Sequence, residues 1–270
     1  MRLSELGEDA LLRELERRGL ARGITDDVAV VQDRVVTQDA LVQDVHFRLD
    51  QMSWRDLGWR AAAVNLSDLA AAGATADALV VTLAAPRSTE VEDVFELYAG
   101  IRETGVPVVG GDTTEAPAVV LSVTALGRSP RVPGRGGALP GDVLIVTGAL
   151  GASGAAFRRG GYVRPPLRLR EGRELAPRAH ALMDLSDGLG VDCRRMAAAS
   201  GCALIVELER VPLAEDALLR DLAFGEDYEL LAAVESAPPF TPIGRCVAGS
   251  GVTFLLHGEP FELAGWQHFA

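Results

Sequence analysis

The chain contains no lysine, so all 26 of its Lys and Arg residues are arginine. This absence excludes a phosphate-binding loop of the GxxxxGK type, and any bound phosphate must be neutralised by metal ions, arginine or backbone N–H groups. The three cysteines form no CxxC pair, which argues against a disulfide framework or a zinc site. No apolar run reaches the roughly 18 residues of a membrane span, and no basic region followed by an apolar stretch opens the chain. We therefore expect a cytoplasmic protein with no membrane partner.

Acidic residues outnumber basic ones by 38 to 26, which gives a formal net charge of −12. Such an excess disfavours nucleic acid and anionic lipid as partners. The length of 270 residues suits two domains. Helical and strand patterns alternate in both halves, which favours an α/β or α+β class. A stretch rich in Pro, Gly and Arg from residue 128 to 141 predicts the junction, so we expect domains at 1–130 and 131–270.

Aspartates recur along the chain beside small or hydroxylated residues. Carboxylates gathered in one cleft repel each other by about 4 kcal/mol per close pair at intermediate dielectric, so such a cluster persists around cations. Mg²⁺ prefers carboxylate, water and phosphate oxygens, and the pattern therefore predicts metal-dependent phosphate chemistry. The segments are Thr25-Asp26-Asp27, Gln38-Asp39, Leu66-Ser67-Asp68, Gly110-Gly111-Asp112, Asp184-Leu185-Ser186-Asp187-Gly188 and Gly225-Glu226-Asp227-Tyr228.

Three of these segments are hard to explain as ordinary surface. Asp39 ends a strand of β-branched residues, where aspartate is disfavoured. Asp68 lies in a helix made mostly of Ala, Val and Leu, so it must be paired or metal-bound if that face is buried. The sequence Gly110-Gly111-Asp112-Thr113 combines flexible backbone donors with a carboxylate and predicts a loop for phosphate and metal. Asp26-Asp27 is also compatible with a simple turn before a strand.

Ser186 lies between Asp184 and Asp187, where a strand meets a helix. We expect Ser186 to cap that helix, whose N-terminus could also hold an anion or a metal-bridged phosphate. Glycines at 148, 151 and 154 do not have the spacing of a dinucleotide-binding loop and predict a close-packed turn. A lone histidine such as His46 is more often structural than functional.

In order, these segments resemble the thiamine-monophosphate kinase family, within the superfamily that includes aminoimidazole ribonucleotide synthetase. The resemblance runs nearly the whole chain, from Leu6-Gly7-Glu8 through DxLVxxVHF, NLSDLAAxGA, GGDTT, MDLSDGL and GEDYELL to a closing GWxHF. Compared with that family, the region from Arg159 to Ala181 is short, and Gln38 stands where threonine is usual.

The resemblance implies roles for particular residues. The positions that match metal ligands of the family are Asp27, Thr37, Asp39, Asp68, Asp112, Asp184 and Asp187, and of these we expect Asp39, Asp68, Asp112 and Asp184 to be catalytic. The positions that match nucleotide-binding residues are Tyr98, Gly111, Asp112, Arg135 and Ser186. The positions that match thiamine phosphate-binding residues are His46, Glu226 and Trp266.

The family likeness also implies transfer of the γ-phosphoryl group of ATP to thiamine monophosphate, with several Mg²⁺ ions. It implies an N-terminal mixed-sheet α+β domain that dimerises and a C-terminal α/β domain, hence a homodimer. The acceptor phosphate is already nucleophilic at neutral pH, so direct transfer without a strong general base is expected. Two alternatives remain open: another ATP-dependent member of the superfamily, and a non-catalytic nucleotide- or metal-binding regulator.

Overall fold

The computed structural model describes residues 2–236 and 239–265. The α-helices are α1 (Leu3–Leu6), α2 (Glu8–Arg17), α3 (Trp54–Ala71), α4 (Val91–Glu103), α5 (Ala152–Arg158), α6 (Leu169–Leu175) and α7 (Leu189–Ser200). The strands are β1 (Ala29–Val31), β2 (Arg34–Val42), β3 (Thr75–Ala85), β4 (Val108–Glu115), β5 (Val120–Arg128), β6 (Val143–Val146), β7 (Ala179–Asp184), β8 (Ala203–Glu207), β9 (Leu230–Val234), β10 (Thr241–Val247), β11 (Gly251–Leu256) and β12 (Glu259–Phe261). Two short 3₁₀ helices lie at Leu208–Arg210 and Leu219–Ala223.

The first five strands form one mixed sheet in the order β1-β2-β5-β3-β4. Only β3 and β4 pair in parallel in this sheet. Inward-pointing residues such as Leu79, Leu121 and Val123 are buried against α3. The sheet therefore has one face covered by helices.

The other face of this sheet is open in the single chain. Val36, Val80 and Leu126 alternate with the buried residues of their strands and stay partly exposed. Gln38 donates a hydrogen bond of 2.9 Å to the Ser122 hydroxyl across this face. Apolar side chains on an uncovered sheet face indicate a surface that another layer could cover.

The remaining strands form a second mixed sheet in the order β12-β11-β8-β10-β6-β9-β7. Here β8 and β11 are the parallel pair. Helix α7 packs on this sheet, and the buried side chains include all three cysteines, Cys193, Cys202 and Cys246. The expected domain boundary falls in the connection between β5 and β6.

Helix α3 joins the two halves. Ser53 caps it by accepting a hydrogen bond of 3.1 Å from the Asp56 amide, and a serine just before an alanine-rich run is the usual sequence signal of such a cap. Its C-terminal half packs on α6 so closely that a Cβ at Gly172 would lie 2.0 Å from the Ala70 carbonyl oxygen. One buried cluster therefore combines Ala70 and Ala71 with residues of the second sheet.

Three local predictions are wrong. Asp39 does not end its strand, because β2 pairs with β5 as far as Val42. Gly110-Gly111-Asp112-Thr113 is part of strand β4, not a loop, because its backbone pairs with β3. Ser186 does not cap α7, which begins at Leu189 with Gly188 as its N-cap. Alternating polar residues and short length also hid β10, β12 and α6 from the sequence prediction.

The glycines of the α5 region pack closely, as expected. A Cβ at Gly154 would lie 2.9 Å from the Asp221 Cβ, and the Asp227 carboxylate accepts a hydrogen bond of 2.9 Å from the Gly151 amide. That carboxylate occupies the start of α5, so this turn holds no dinucleotide phosphate. Among the described residues, no helix combines the length and the apolar character that crossing a membrane requires.

Candidate active site

A cavity of about 680 Å³ lies between the two sheets. Its walls come from β2, the loop that follows β2, one side of α3, the start of α5 and the turns before α7 and β9. Both halves of the chain therefore contribute to one cavity.

One end of the cavity holds a cluster of carboxylates. Oxygen atoms of Asp27, Asp68 and Asp184 all lie within 4.8 Å of one another. The Thr37 hydroxyl donates a hydrogen bond of 2.5 Å to Asp68, and the Ser67 hydroxyl donates one of 2.7 Å to Asp184. These hydroxyls fix two of the three carboxylates in place.

Asp39 and Asp187 border this cluster and line the same cavity. The Asp39 amide donates a hydrogen bond of 3.0 Å to the Asn65 side chain, which ties β2 to α3. Asp187 pairs with Arg195 from the first turns of α7. Five of the predicted metal-binding carboxylates are thus gathered in one place.

The proximity of these acids changes how they titrate. Burial raises the pKa of Asp27 to about 7, against the opposing charge of Arg135. Burial also raises the pKa of Asp39 and of Asp184, each to about 6, and neighbouring carboxylates add to the rise. The pKa of Asp68 is likewise well above its ordinary value because of burial and the charge of Asp39. The cluster is short of positive charge at neutral pH.

The cluster fits a hard divalent cation. Asp27 Oδ2 is buried and has no hydrogen-bond partner among the described residues. A carboxylate oxygen of this kind, beside two further carboxylates and a hydroxyl, provides the oxygen donors that Mg²⁺ prefers. The residues present therefore suit the predicted metal.

Arg135 and Ser186, predicted for the nucleotide, also line the cavity. The Arg135 guanidinium bonds Asp27 Oδ1 through two nitrogens, at 2.8 and 2.5 Å. The Ser186 carbonyl accepts a hydrogen bond of 2.7 Å from the Glu226 amide. A cation and a turn rich in polar groups thus stand beside the carboxylates.

The other end of the cavity is organised by Arg60, which is only 3% exposed. Its guanidinium pairs with Glu226 and donates a second hydrogen bond of 2.5 Å to the His46 carbonyl. The His46 ring accepts a hydrogen bond of 3.0 Å from the Val42 amide through Nδ1. One buried cation therefore holds two of the residues predicted to bind thiamine phosphate.

Aromatic side chains complete this end. Phe157 and Phe224 have ring centroids 4.9 Å apart, and Tyr162 lies in the same wall. Flat apolar surfaces next to an Arg–Glu pair suit a flat heteroaromatic ligand that carries polar groups.

The single chain leaves three predicted residues outside this cavity. Gly111 and Asp112 lie on β4, which β5 and β3 separate from β2 by roughly 14 Å at about 4.8 Å per strand. Tyr98 lies on α4 and packs against the core of the first sheet. Trp266 lies outside the described residues.

Asp112 also faces the opposite side of its sheet from Asp39. In the strand register Asp112 pairs with Thr82, Thr82 with Ser122, and Ser122 with Ala40, so these four residues share the open face. Asp39 is the neighbour of Ala40 and points to the face covered by α3. Asp112 therefore cannot reach the carboxylate cluster of its own chain without refolding the sheet.

Sequence reasoning did not select Arg60, although a signal was present. Arg60, Val64 and Asp68 follow each other at steps of four on α3, and all three line the cavity. Arg60 therefore lies on the same face of α3 as the predicted metal ligand Asp68. In a helix otherwise rich in alanine, that placement predicts that both side chains enter the same cleft. Tyr162 carried no such signal, because nothing in its local sequence shows what it faces.

Comparisons with known proteins agree with this architecture. Residues 25–129 match the family model described as AIR synthase related protein, N-terminal domain, and residues 140–254 match its C-terminal domain counterpart. The hydrogenase maturation protein HypE of E. coli shares the fold, with a TM-score of 0.70 at 21% identity over 95% of this chain and 96% of that one.

Thiamine-monophosphate kinases are more similar to this chain. The thiamine-monophosphate kinase of Rhodopirellula baltica is 35% identical over 93% of this chain and 91% of its own length. The structure of AaThiL complexed with AMPPCP and TMP superposes with a TM-score of 0.91 at 30% identity, covering 99% of both chains. The chain therefore belongs to the thiamine-monophosphate kinase family.

Proposed function

We infer that this protein transfers the γ-phosphoryl group of ATP to thiamine monophosphate, giving thiamine diphosphate and ADP. The observation that carries this inference is the cluster of Asp27, Asp68 and Asp184 at one end of a cavity whose other end is aromatic and polar. AaThiL was crystallised with TMP and with AMPPCP, an ATP analogue, and its fold and length match those of this chain.

In the reaction, an oxygen of the acceptor phosphate bonds to the γ-phosphorus while the bond from that phosphorus to the β–γ bridging oxygen breaks. ADP leaves with the electron pair of that bond. When bound, Mg²⁺ supplies positive charge that reduces the repulsion between the two phosphate groups. Asp27, Asp39, Asp68 and Asp184 would hold the metal, and Thr37 contributes a hydroxyl at the same place.

The chain's own residues then have to align two anions. Arg135 provides a guanidinium beside the carboxylates, where it can contact a phosphate oxygen. Asp187, Ser186 and the backbone turn before α7 border the same region. Orientation of two phosphates in line provides much of the rate enhancement in such reactions, and no strong base is required.

We propose that His46 and Glu226 bind the organic part of thiamine monophosphate, at the end of the cavity organised by Arg60. Trp266 remains a predicted contact from its place in the sequence alone. The cationic thiazolium ring suits the carboxylate of Glu226 and nearby aromatic faces.

We propose that the active form is a homodimer in which the open sheet face is covered by a second copy. This proposal is supported by the partly exposed Val36, Val80 and Leu126 on that face, and by Val109 of edge strand β4, which is 65% exposed. Asp112 points to this same face. In such an assembly Gly111 and Asp112 would serve the carboxylate cluster of the neighbouring copy.

The division of the chain at 130/131 remains our proposal for its two domains, the first carrying most of the metal ligands. We also propose a cytoplasmic location, since ATP and thiamine phosphates are intracellular metabolites.

The decisive experiment measures ADP and thiamine diphosphate after incubation with ATP and Mg²⁺, with and without thiamine monophosphate. We expect stoichiometric formation of both products only when the acceptor is present, and no turnover in excess chelator. ADP release that is independent of the acceptor would favour another superfamily activity. Binding without any ADP release would favour a non-catalytic regulator.

A further inference from the structure

In residues 2–236 and 239–265, three buried side-chain polar atoms have no hydrogen-bond partner: Asp27 Oδ2, Arg60 Nε and the Tyr162 hydroxyl. All three residues line the one cavity described above. A buried polar atom left unpaired costs about 1–3 kcal/mol, so such atoms mark places where a ligand completes the hydrogen bonding. Asp27 belongs to the carboxylate end, whereas Arg60 and Tyr162 belong to the other.

Tyr162 lies on a segment, residues 160–168, that we call the strap. The strap is fixed to the first half of the chain by Arg164, which bonds Asp56 at 2.6 Å and Glu103 at 2.5 Å. Its guanidinium also lies 5.1 Å from the ring centroid of Trp59. These contacts hold the strap across α3 and α4.

The chain on the other side of Tyr162 is fixed as well. Arg158, at the end of α5, bonds the Asp221 carboxylate at 2.9 Å. Tyr162 is therefore held between two anchored points, Arg158 and Arg164. Its position in the cavity wall is set by the fold, and its hydroxyl is not a freely moving surface group.

Arg60 and Tyr162 both line the cavity beside α3, where Arg164 of the strap bonds Asp56 and lies over Trp59, the residue before Arg60. Burial raises the pKa of Tyr162, and the positive charge of Arg60 opposes that rise. Both terminal nitrogens of Arg60 already donate hydrogen bonds, one to Glu226 and one to the His46 carbonyl. The third nitrogen, Nε, has no partner among the described residues. This end of the cavity thus offers one unpaired N–H donor and one unpaired phenol hydroxyl.

If the protein acts on thiamine monophosphate as proposed above, the orientation of the acceptor follows from charge. Its phosphate must lie at the carboxylate end, where the cations are held, so its ring system extends toward Arg60 and Tyr162. The 4-aminopyrimidine ring presents a nitrogen acceptor next to an amino donor. That pair is complementary to an N–H donor next to a phenol oxygen.

We propose that Tyr162, together with Arg60 Nε, recognises the aminopyrimidine edge of the acceptor and makes the kinase selective for it. The Tyr162 oxygen accepts from the 4-amino group, and Arg60 Nε donates to the adjacent ring nitrogen. An acceptor with hydrogen in place of the 4-amino group lacks the N–H from which the Tyr162 oxygen accepts, and leaves that oxygen unpaired.

The experiment compares wild type with Tyr162→Phe, a change that removes only the hydroxyl. Steady-state kinetics are measured for thiamine monophosphate and for its 4-desamino analogue, in which hydrogen replaces the amino group, and the KM for ATP and the melting temperature serve as internal controls. For thiamine monophosphate we expect KM to rise about three- to tenfold, as loss of one neutral hydrogen bond implies, with kcat within twofold. For the 4-desamino analogue KM should change less, so that the preference for the amino acceptor falls by a similar factor.

Two results would overturn the proposal. Unchanged kinetics with both acceptors would make Tyr162 a packing residue, and an equal rise in KM for both would place its hydroxyl on a part that the two acceptors share. Failure of wild type to phosphorylate thiamine monophosphate would instead refute the proposed function, and the recognition of the aminopyrimidine would fall with it.

Discussion

At the scale of single residues, Arg60 connects the two halves of the cavity. It lies on α3 in the first half, and its ion pair with Glu226 reaches a turn of the second half. Glu226 adopts a positive φ of 58°, and its neighbour Gly225 is so close to the Ser186 carbonyl that a Cβ there would lie 2.4 Å from that oxygen. The turn can therefore take few other conformations, and Arg60 pairs with the half-buried carboxylate that the turn holds.

Replacing Arg60 with methionine should leave the half-buried Glu226 carboxylate without its cation. We expect a loss of about 2 kcal/mol in the free energy of unfolding and at least a tenfold rise in the KM for thiamine monophosphate. Adding Glu226→Gln to Arg60→Met should recover much of the stability but not the KM, because no unpaired charge remains. Urea denaturation of both variants checks this, and a double variant no more stable than Arg60→Met would contradict it.

We expect Asp39 to contribute to the reaction while it lowers the stability of the metal-free folded protein. Asp39→Asn should lower kcat by about a hundredfold or more, as loss of electrostatic stabilisation commonly does. In metal-free buffer its melting temperature should equal or exceed that of wild type, because one of several mutually repelling carboxylates is gone. Asp33→Asn is the matched control, since the Asp33 side chain is 77% exposed in the turn before β2. A normal kcat for Asp39→Asn would contradict its predicted role.

At the scale of elements, strand β4 shows what a local pattern can and cannot predict. Glycine pairs followed by Asp and Thr are typical of loops, and the sequence predicts one here. In the structure Gly111 lies so close to β3 that a Cβ would be 1.8 Å from the Val81 carbonyl oxygen, whereas nothing lies within 4 Å of a Cβ at Gly110. Gly111 therefore allows β4 to pack closely on β3. That role depends on a partner strand that lies distant in the sequence, so the local pattern does not reveal it.

The two adjacent glycines therefore give a matched pair of variants. Gly111→Ala should push β4 away from β3 and cost about 2 kcal/mol or more of stability, while Gly110→Ala should change it by less than about 0.5 kcal/mol. Thermal melting of the two purified variants decides between these expectations. Equal melting temperatures would mean that β3 and β4 can move apart at Gly111 with no loss of stability.

Much of the fold was predictable from the sequence because it rests on local signals. The Ser53 cap, the alanine-rich α3 and the apolar strands β5, β8 and β9 all have such signals. The unusual settings of Asp39 and Asp68 pointed to a buried site, whereas the roles of Asp27 and Asp184 were implied by the family resemblance. What was missed depends on distant partners. Arg60 acquires its role from Glu226, and Ser186 loses its expected capping role because the chain turns at Gly188 before α7 begins.

At the scale of the whole molecule, the carboxylate cluster links stability to pH and to metal. Asp27, Asp39 and Asp184 have pKa values raised to between about 6 and 7 in the folded chain, above their ordinary value of 3.8. Groups raised in this direction favour the folded state at low pH, and that contribution is lost as the pH rises through 6 to 7. The metal-free protein should therefore lose stability between about pH 4 and pH 7.

Because Mg²⁺ binds ionised carboxylates, its stabilising effect should follow the opposite trend. At 100 times its Kd a ligand adds about 2.7 kcal/mol, which corresponds to roughly 5–10 °C for a chain of this size. We expect the rise in melting temperature with Mg²⁺ to approach this range at pH 8 and to be much smaller at pH 5. NaCl at equal ionic strength controls for screening, and an equal rise at both pH values would count against metal binding by this cluster.

The proposed homodimer can be tested by complementation. Asp39→Asn and Asp112→Asn should each be nearly inactive, yet a mixed dimer has one site that carries neither change. After subunit exchange an equal mixture should regain about a quarter of wild-type activity, because half of the dimers are mixed and half of their sites are intact. A mixture of Asp39→Asn with Asp184→Asn is the control and should regain none. No recovery in the first mixture would show that Asp112 does not act across copies.

The sheet that separates Asp112 from Asp39 also fixes how the reaction velocity scales with the amount of protein. If two chains must meet before any site is complete, the initial rate rises with the square of the chain concentration well below the dimer dissociation constant and becomes linear above it. Dilution then lowers the activity per chain reversibly, without any change in how each complete site binds its substrates. The abundance of the protein in the cell becomes a control on flux, steeper than that of an enzyme whose single chain is sufficient.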